Sequence, residues 1–188
     1  MNDVIYEAIV TTERPDGTPH ITPLGIRWRE GQVVLMPFRP SSTLAQALAT
    51  RRAVVSLITD TRIMAGCVTG RRDWPCVPTA GGFRLAAALR HLDLQLARVD
   101  DDAQRPALTF DVTADQTHAP FAGLNRAQAA LLEGAVLVSR LHLLTPQKID
   151  AEMAYLAIAI AKTASDAERE GWAWLQEAVT AHRQGQDA

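Results

Sequence analysis

The apolar residues change their period near His118, and this switch constrains the fold more than any other feature of the chain. Before it, short β-rich runs alternate with turn residues. Val4–Thr12 is followed by the turn sequence Glu13–Gly17, and Thr18–Trp28 resumes as a strand interrupted by prolines. Ala53–Ile58 is a continuous apolar run suited to a strand covered on both faces. Leu92, Leu94 and Leu96 alternate with polar residues, as do Leu108, Phe110 and Val112 across the turn at Asp100–Asp102. Strands joined by short turns predict a small barrel, closed or partly closed. Ile63–Thr69 reads as a further strand, Gly70–Gly82 as a long loop, and Phe83–His91 as a short helix.

From Asn125 onward the pattern is helical. Asn125 can cap a helix carrying Ala127, Ala130, Leu131, Gly134, Leu137, Leu141 and Leu144 on one face. Thr145–Pro146 ends it and starts another, with Ile149, Met153, Leu156 and Ile160 inward. Ser165 and Glu168 form a capping-box pair ahead of Trp172, Leu175 and Val179, and the tail after His182 reads as frayed. The chain thus divides into a mainly β domain, 1–117, and an α-helical domain, 118–188.

Val33–Thr43 carries the most suggestive chemistry. Val33–Met36 reads as a buried strand, Pro37 and Pro40 break it, and Arg39 lies in the connection. Ser41, Ser42 and Thr43 arrive where a helix begins. First-turn N–H groups lack intrahelical partners and the helix dipole favours negative charge, so this corner suits a terminal phosphate. On spacing alone a simple helix cap at Ser42 or Thr43 competes with that reading and is commoner. Upstream, Pro23 and Gly25 flank Leu24 and would let a flat ligand approach the backbone. Thr59 and Asp60 place polar side chains at a strand end, and His20 can be read as an acid or base, although a satisfied surface histidine is the commoner reading.

Other chemistries find little support. A formal charge of −2 provides no basic field for nucleic acid. Asp3 and Glu7 stand where a secretory signal needs positive charge, and the longest apolar run, Met153–Ala161, is too short to span a bilayer; a cytoplasmic protein is expected. Cys67 and Cys76 form no CxxC pair, and the dispersed histidines predict no protein-held metal. Arg126, Glu133 and Arg140 recur every seventh residue and share a helix face, either as a solvated stripe or as a polar seam.

VIYEAIVTTERPDGTPHITPLGI, VVLMPFRPSSTLAQAL and AVVSLITD resemble the DUF447 family of FMN-binding split-barrel proteins, and PFAGLNRAQAALLEGAVLVSRLHLL resembles that family's C-terminal helical segment. The resemblance implies a six-stranded FMN-binding split barrel with a C-terminal helical segment. It also implies a homodimer with FMN near the subunit interface. It assigns Arg39, Ser41, Ser42 and Thr43 to the FMN phosphate and Pro23, Leu24 and Gly25 to the flavin ring. Thr59 and Asp60 go to the ring or ribityl chain. It turns the odds at Ser41–Thr43 from cap to phosphate site. Ser56 departs from the asparagine expected at its position. The activity implied is that of an FMN-dependent oxidoreductase acting on a small molecule such as a flavin or pterin. The alternative is a flavin-binding carrier or sensor without turnover. The absence of a GxGxxG fingerprint means that a nicotinamide donor would visit as a substrate.

Overall fold

A computed structural model describes residues 4–186. Asp3 and the last two residues of the tail lie outside the described residues. Eight strands and five helices follow in the order β1 (Tyr6–Glu13), β2 (Pro19–Arg29), β3 (Gln32–Leu35), α1 (Ser42–Thr50), β4 (Arg52–Leu57), α2 (Arg62–Val68), β5 (Cys76–Thr79), β6 (Gly82–Leu85), β7 (Arg90–Asp100), β8 (Ala107–Thr117), α3 (Arg126–Val138), α4 (Pro146–Thr163) and α5 (Asp166–Gln186). They form two compact units: residues 1–58 with 73–121, and residues 59–72 with 122–188. The boundary at 117/118 expected from chain order would leave 59–72 with the strands; in the structure this segment groups with the helices.

The first unit is a closed six-stranded antiparallel barrel, ordered β1-β2-β3-β8-β7-β4. Alternation decides which side chains fill it. Ala8, Val10, Val55, Leu92, Leu94, Leu108 and Phe110 share one buried core, and Leu44 and Ala47 of α1 join it. A hydrogen bond of 2.7 Å from the Thr12 hydroxyl to Gln46 Oε1 further ties α1 to β1. The prolines of β2 are accommodated by incomplete pairing. β2 pairs with β1 from Pro19 to Ile26, but with β3 only from Ile26 to Arg29. Pro19 and Pro23 therefore lie where one strand edge is unpaired and a missing N–H costs no ladder bond.

Three sequence expectations are corrected in the stretch between β4 and β7. Ile63–Thr69 is not a strand but lies in and just past α2, whose residues Ile63 to Cys67 are all buried. A segment buried on every side shows no period, so the strand and helix readings could not be separated. Phe83–His91 is not a helix: β6 pairs with β5 as a hairpin, from Cys76 opposite Leu85 to Thr79 opposite Gly82, and β7 begins at Arg90. The long loop accordingly shrinks to the residues before Cys76. Val54 of β4 lies 3.7 Å from where a Gly82 side chain would begin.

In the second unit Asn125 caps α3, accepting from Ala127 N and Gln128 N at 2.7 and 3.2 Å. The side-chain amide of Gln128, three residues after this cap, donates to Glu168 at 3.3 Å. α3 ends at Val138, short of the expected run to Leu144, and a 3-10 turn at Leu141–Leu143 follows. Thr145 caps α4 with Pro146 at its start. Before α5, Glu168 accepts from Ser165 N at 2.8 Å and also from its hydroxyl, so the serine donates where a full box would have it accept. Trp172, Leu175 and Val179 are buried, as their spacing predicts. Among the described residues, no helix is long and apolar enough to cross a membrane.

Candidate functional site

The strand-to-helix corner after β3 is built from short-range capping and two long-range ties. Ser41 is the N-cap of α1: its extended backbone precedes the helix and its hydroxyl accepts from Leu44 N at 3.2 Å. The cap thus falls one residue before Ser42 and two before Thr43, the positions that spacing suggested. Thr43 is buried, and its hydroxyl donates to Thr22 Oγ1 of β2 at 3.2 Å. Thr22 Oγ1 in turn lies 2.9 Å from His20 Nε2. His20 is therefore not a surface residue; it is buried at the end of a polar chain leading to the first turn of α1.

What remains open at this corner is a set of donors. Ser42 is the first helical residue and is exposed. Among the described residues its hydroxyl makes no hydrogen bond, and no acidic side chain occupies the first turn. The N–H groups of Ser42 and Thr43 precede the first intrahelical bond, from Ala45 N to Ser41 O. These donors, an uncompensated helix dipole and the Ser42 hydroxyl can hold a phosphate.

Arg39 is placed by a different device. Its backbone N–H donates to Gln104 O at 2.8 Å, and its guanidinium pairs with Asp101 at 2.7 Å. Both side chains of the pair are largely exposed, so the arginine is held loosely in water. Arg105 stacks its guanidinium 4.4 Å from the Phe38 ring centre and donates to Met36 O, pinning the loop to the β7–β8 turn. Asp102 organises that turn: the backbone N–H groups of Arg105 and Gln104 donate to it and hold its carboxyl below the ordinary range. The acidic run Asp100–Asp102 is thus divided among Arg98, Arg39 and the turn itself. Among the described residues, no group of three or more His, Cys, Asp or Glu is arranged to hold a metal ion.

Pro23, Leu24 and Gly25 lie half-buried on the β2 stretch that β3 leaves unpaired, immediately after Thr22. Leu24 packs on the barrel core. A Cβ at Gly25 would stand 2.6 Å from Ile5 Cγ2, so the space opened by this glycine is used by Ile5. The structure brings Ser41, Ser42 and Thr43 to the β2 edge through Thr22, a residue that sequence reasoning passed over. Its only signal was the hydroxyl preceding Pro23. Thr59 and Asp60 belong to the second unit. There Thr59 O accepts from Thr61 N at 2.9 Å, and Asp60 accepts from Arg62 N and the Arg62 guanidinium at 3.2 and 3.1 Å. Ser56, on β4, accepts from Leu85 N at 3.1 Å and is fully buried.

A second polar cluster lies beneath the β5–β6 hairpin. His91 and Asp93 of β7 are both buried, with His91 Nε2 3.6 Å from Asp93 Oδ1. Asp93 accepts from the Thr79 hydroxyl at 2.7 Å, and His91 Nδ1 lies 2.7 Å from Nε2 of the exposed His118. Burial holds the His91 imidazole below its ordinary pKa, against the opposing pull of Asp93.

Comparison with known proteins locates this architecture. The chain resembles an FMN-bound protein from Methanosarcina mazei, with a TM-score of 0.78 at 18% identity over 94% of this chain and 96% of that one. The NADH:FAD oxidoreductase of Streptomyces globisporus matches at a TM-score of 0.51 and 14% identity, over 62% of this chain and 78% of its own. The styrene monooxygenase flavin reductase of Pseudomonas putida matches at 0.50 and 12% identity, over 59% and 77%. These likenesses establish the split-barrel fold. No curated protein matches the sequence. Two family models, the N-terminal domain and the C-terminal part of a protein of unknown function (DUF447), match residues 6–119 and 125–177, and the chain belongs to the DUF447 family.

Proposed function

We propose that the barrel unit binds FMN and that the protein is an FMN-dependent reductase of a small molecule, working as a homodimer. The observation that carries the reading is the corner at Ser41–Thr43, where free first-turn donors and the exposed Ser42 hydroxyl adjoin an unpaired edge of β2. A phosphate is the ligand chemistry that uses such donors, and a flat ring is the chemistry that suits the edge of β2 at Pro23 that β3 leaves unpaired. In this reading Ser42, Thr43 and the N-terminal dipole of α1 hold the phosphate, and Arg39 adds charge from its loop. Ser41 keeps the turn in shape by capping Leu44 N. Thr22 keeps α1 in register with β2 through Thr43. Pro23, Leu24 and Gly25 line one side of the ring. The likeness to an FMN-bound protein of the same fold supports the choice of cofactor.

Bound FMN would supply the electron chemistry, accepting a hydride from a donor such as a nicotinamide and releasing two electrons and a proton to an acceptor. The chain's part is to seat and orient the cofactor and to control access to it. The experiment is anaerobic. The protein purified with flavin, or reconstituted with FMN, is mixed with NADH or NADPH and the flavin absorbance is followed. Bleaching at a rate sufficient for turnover is the expected result. Stable flavin that neither nucleotide reduces would favour a carrier or sensor. A protein that cannot be loaded with FMN would overturn the reading.

A further inference from the structure

Three ionisable side chains of the barrel unit stand in line, and none of them has a part in holding the proposed cofactor. Asp93 and His91 are two positions apart on β7, so they leave the same face of the strand, and both are buried. That face points away from the barrel core, which takes Leu92 and Leu94 instead. The β5–β6 hairpin roofs it. Thr79 donates to Asp93 Oδ1 at 2.7 Å, and Leu85 N donates to Ser56, which lies opposite His91 in the ladder. His91 Nε2 stands 3.6 Å from Asp93 Oδ1, and His91 Nδ1 is 2.7 Å from Nε2 of His118, whose ring lies within 16° of parallel. His118 is exposed, and its backbone is anchored too, since its N–H donates to Leu89 O at 2.7 Å. Its Nδ1 has no hydrogen-bond partner among the described residues.

We infer that Asp93, His91 and His118 form an acid–base relay that makes His118 Nδ1 the proton-exchanging group of the barrel unit, acting on a small molecule with a weakly acidic N–H or O–H. The buried carboxylate favours the proton of His91 on Nε2. His91 Nδ1 then accepts from His118 Nε2, which leaves the lone pair of His118 on its open nitrogen. In the transfer the N–H or O–H bond of the small molecule breaks, its electron pair stays behind, and the proton joins His118 Nδ1; the reverse step returns it. The charge so formed is shared through the 2.7 Å contact with His91 and faces Asp93. Burial keeps His91 neutral at rest; Asp93 and Asp115 favour a charge on it, His118 and Arg84 oppose one, and Arg90 is paired with Asp115. Packing alone does not call for the second imidazole, since a hydroxyl or a backbone group would satisfy His91 Nδ1 equally. Strand register sets the relay level with the proposed ring edge. Pro23 lies opposite Ile9, Ile9 opposite Ser56 and Ser56 opposite His91, so His91 is three strands, about 14 Å, around the barrel from Pro23. A reductase that passes two electrons to an acceptor must also protonate it, and His118 supplies that proton; this assignment rests on the reductase reading, whereas the relay does not.

The test reads the open nitrogen itself, without flavin. The protein is treated at neutral pH with diethyl pyrocarbonate, which acylates unprotonated imidazole nitrogen, and each histidine is followed by peptide mass spectrometry. His118 is expected to react at least about fivefold faster than His142, which is exposed and outside the relay. Asp93→Asn, which keeps an acceptor for Thr79, and His91→Gln are each expected to bring His118 down to the His142 rate and to leave His142 unchanged. Near-ultraviolet circular dichroism checks that the barrel stays packed. Equal rates at His118 and His142 in the wild type, a comparison that needs no variant, would overturn the relay. So would a folded Asp93→Asn protein in which His118 keeps its rate. A second measurement uses the FMN-loaded protein. His118→Gln is expected to slow electron release to the acceptor at least about tenfold, and free imidazole in solution to restore part of the rate. An unchanged rate, or a loss that imidazole does not rescue, would overturn the proton assignment. A protein that takes up no FMN, or is reduced by neither nicotinamide, defeats the reductase reading and the proton assignment with it, while the acylation rates decide the relay separately.

Discussion

His91 Nδ1 and His118 Nε2 lie 2.7 Å apart, one ring buried and the other exposed. A contact this short needs one donor and one acceptor, so the two imidazoles together cannot both be fully protonated. Asp93, facing His91 Nε2, favours the proton on that nitrogen and leaves Nδ1 to accept from His118. Burial lowers the pKa of His91, with Asp93 opposing and His118 and Arg84 reinforcing the shift. Arg90 and Asp115 neutralise one another nearby.

A pH dependence follows from that arrangement. The folded-state pKa of His91 is depressed, so the unfolded chain binds the proton more readily. The contribution of neutral His91 is complete above the unfolded value of about 6.5 and is lost as the pH falls toward the folded value. Chemical denaturation between pH 7.5 and 5 is expected to show falling stability. His91→Gln, which cannot charge, should flatten the slope over that window. An unchanged slope would place the acid sensitivity elsewhere.

Replacing both Arg39 and Ser42 by alanine is expected to weaken FMN by about 2 kcal/mol or more, the scale of charge-assisted bonds, and to leave riboflavin nearly unaffected. Asp101→Asn should act in the opposite direction, because it frees the Arg39 guanidinium from its carboxylate partner. Fluorescence titration with both ligands at low and high salt reads the two effects. Equal losses for FMN and riboflavin would mean that these residues support the fold alone.

Gly81→Ala tests the packing over the His91 cluster. The new Cβ would stand 2.8 Å from Asp93 Cβ and Cγ, and Asp93 is buried and held by Thr79. The clash cannot be relieved at the tip of a flexible chain, so a loss of about 1–3 kcal/mol is expected in urea unfolding. Gly17→Ala also removes a glycine, but there the strain is that of a positive φ with open space around it, and a smaller loss of about 1 kcal/mol is expected.

Glu168 should act on the helical unit. Burial pushes its carboxyl upward, but the bonds from Ser165 and Gln128 together outweigh it and hold the pKa below the usual value. For a depressed acid the stabilisation is present above the unfolded pKa and fades as the pH drops through the folded one. Glu168→Ala is therefore expected to cost about 1 kcal/mol at pH 7 and progressively less in acid. Parallel melting curves at pH 7 and pH 3.5 check this.

The sequence disclosed those parts whose cause is local. The alternation of Leu92, Leu94 and Leu96 reports the barrel interior because every second residue of β7 faces it. Asn125 and Thr145 report helix starts because each cap bonds within three residues of itself. The segments misread lack such signals. α2 is buried from Ile63 to Cys67 and so shows no alternation of apolar and polar faces there, and β6 is recognised through its pairing with β5. The candidate site divides in the same way. That a helix begins within Ser41–Thr43 was visible, although its cap fell before both positions read for it, whereas the tie from Thr43 to Thr22 spans 21 positions and depends on strand register. The engagement of Arg39 by Asp101 was equally hidden, since it comes from the return of β8 beside β3.

The placement of α2 among the C-terminal helices has a consequence for how this gene can change. Neither half is encoded by one contiguous stretch of codons: residues 59–72 interrupt the barrel's share and supply part of the helical half. A fragment starting at residue 122 would be missing one of its own helices, and recombination could exchange either half only through several coordinated crossovers. A single cut at 121/122 therefore does not separate the two units cleanly.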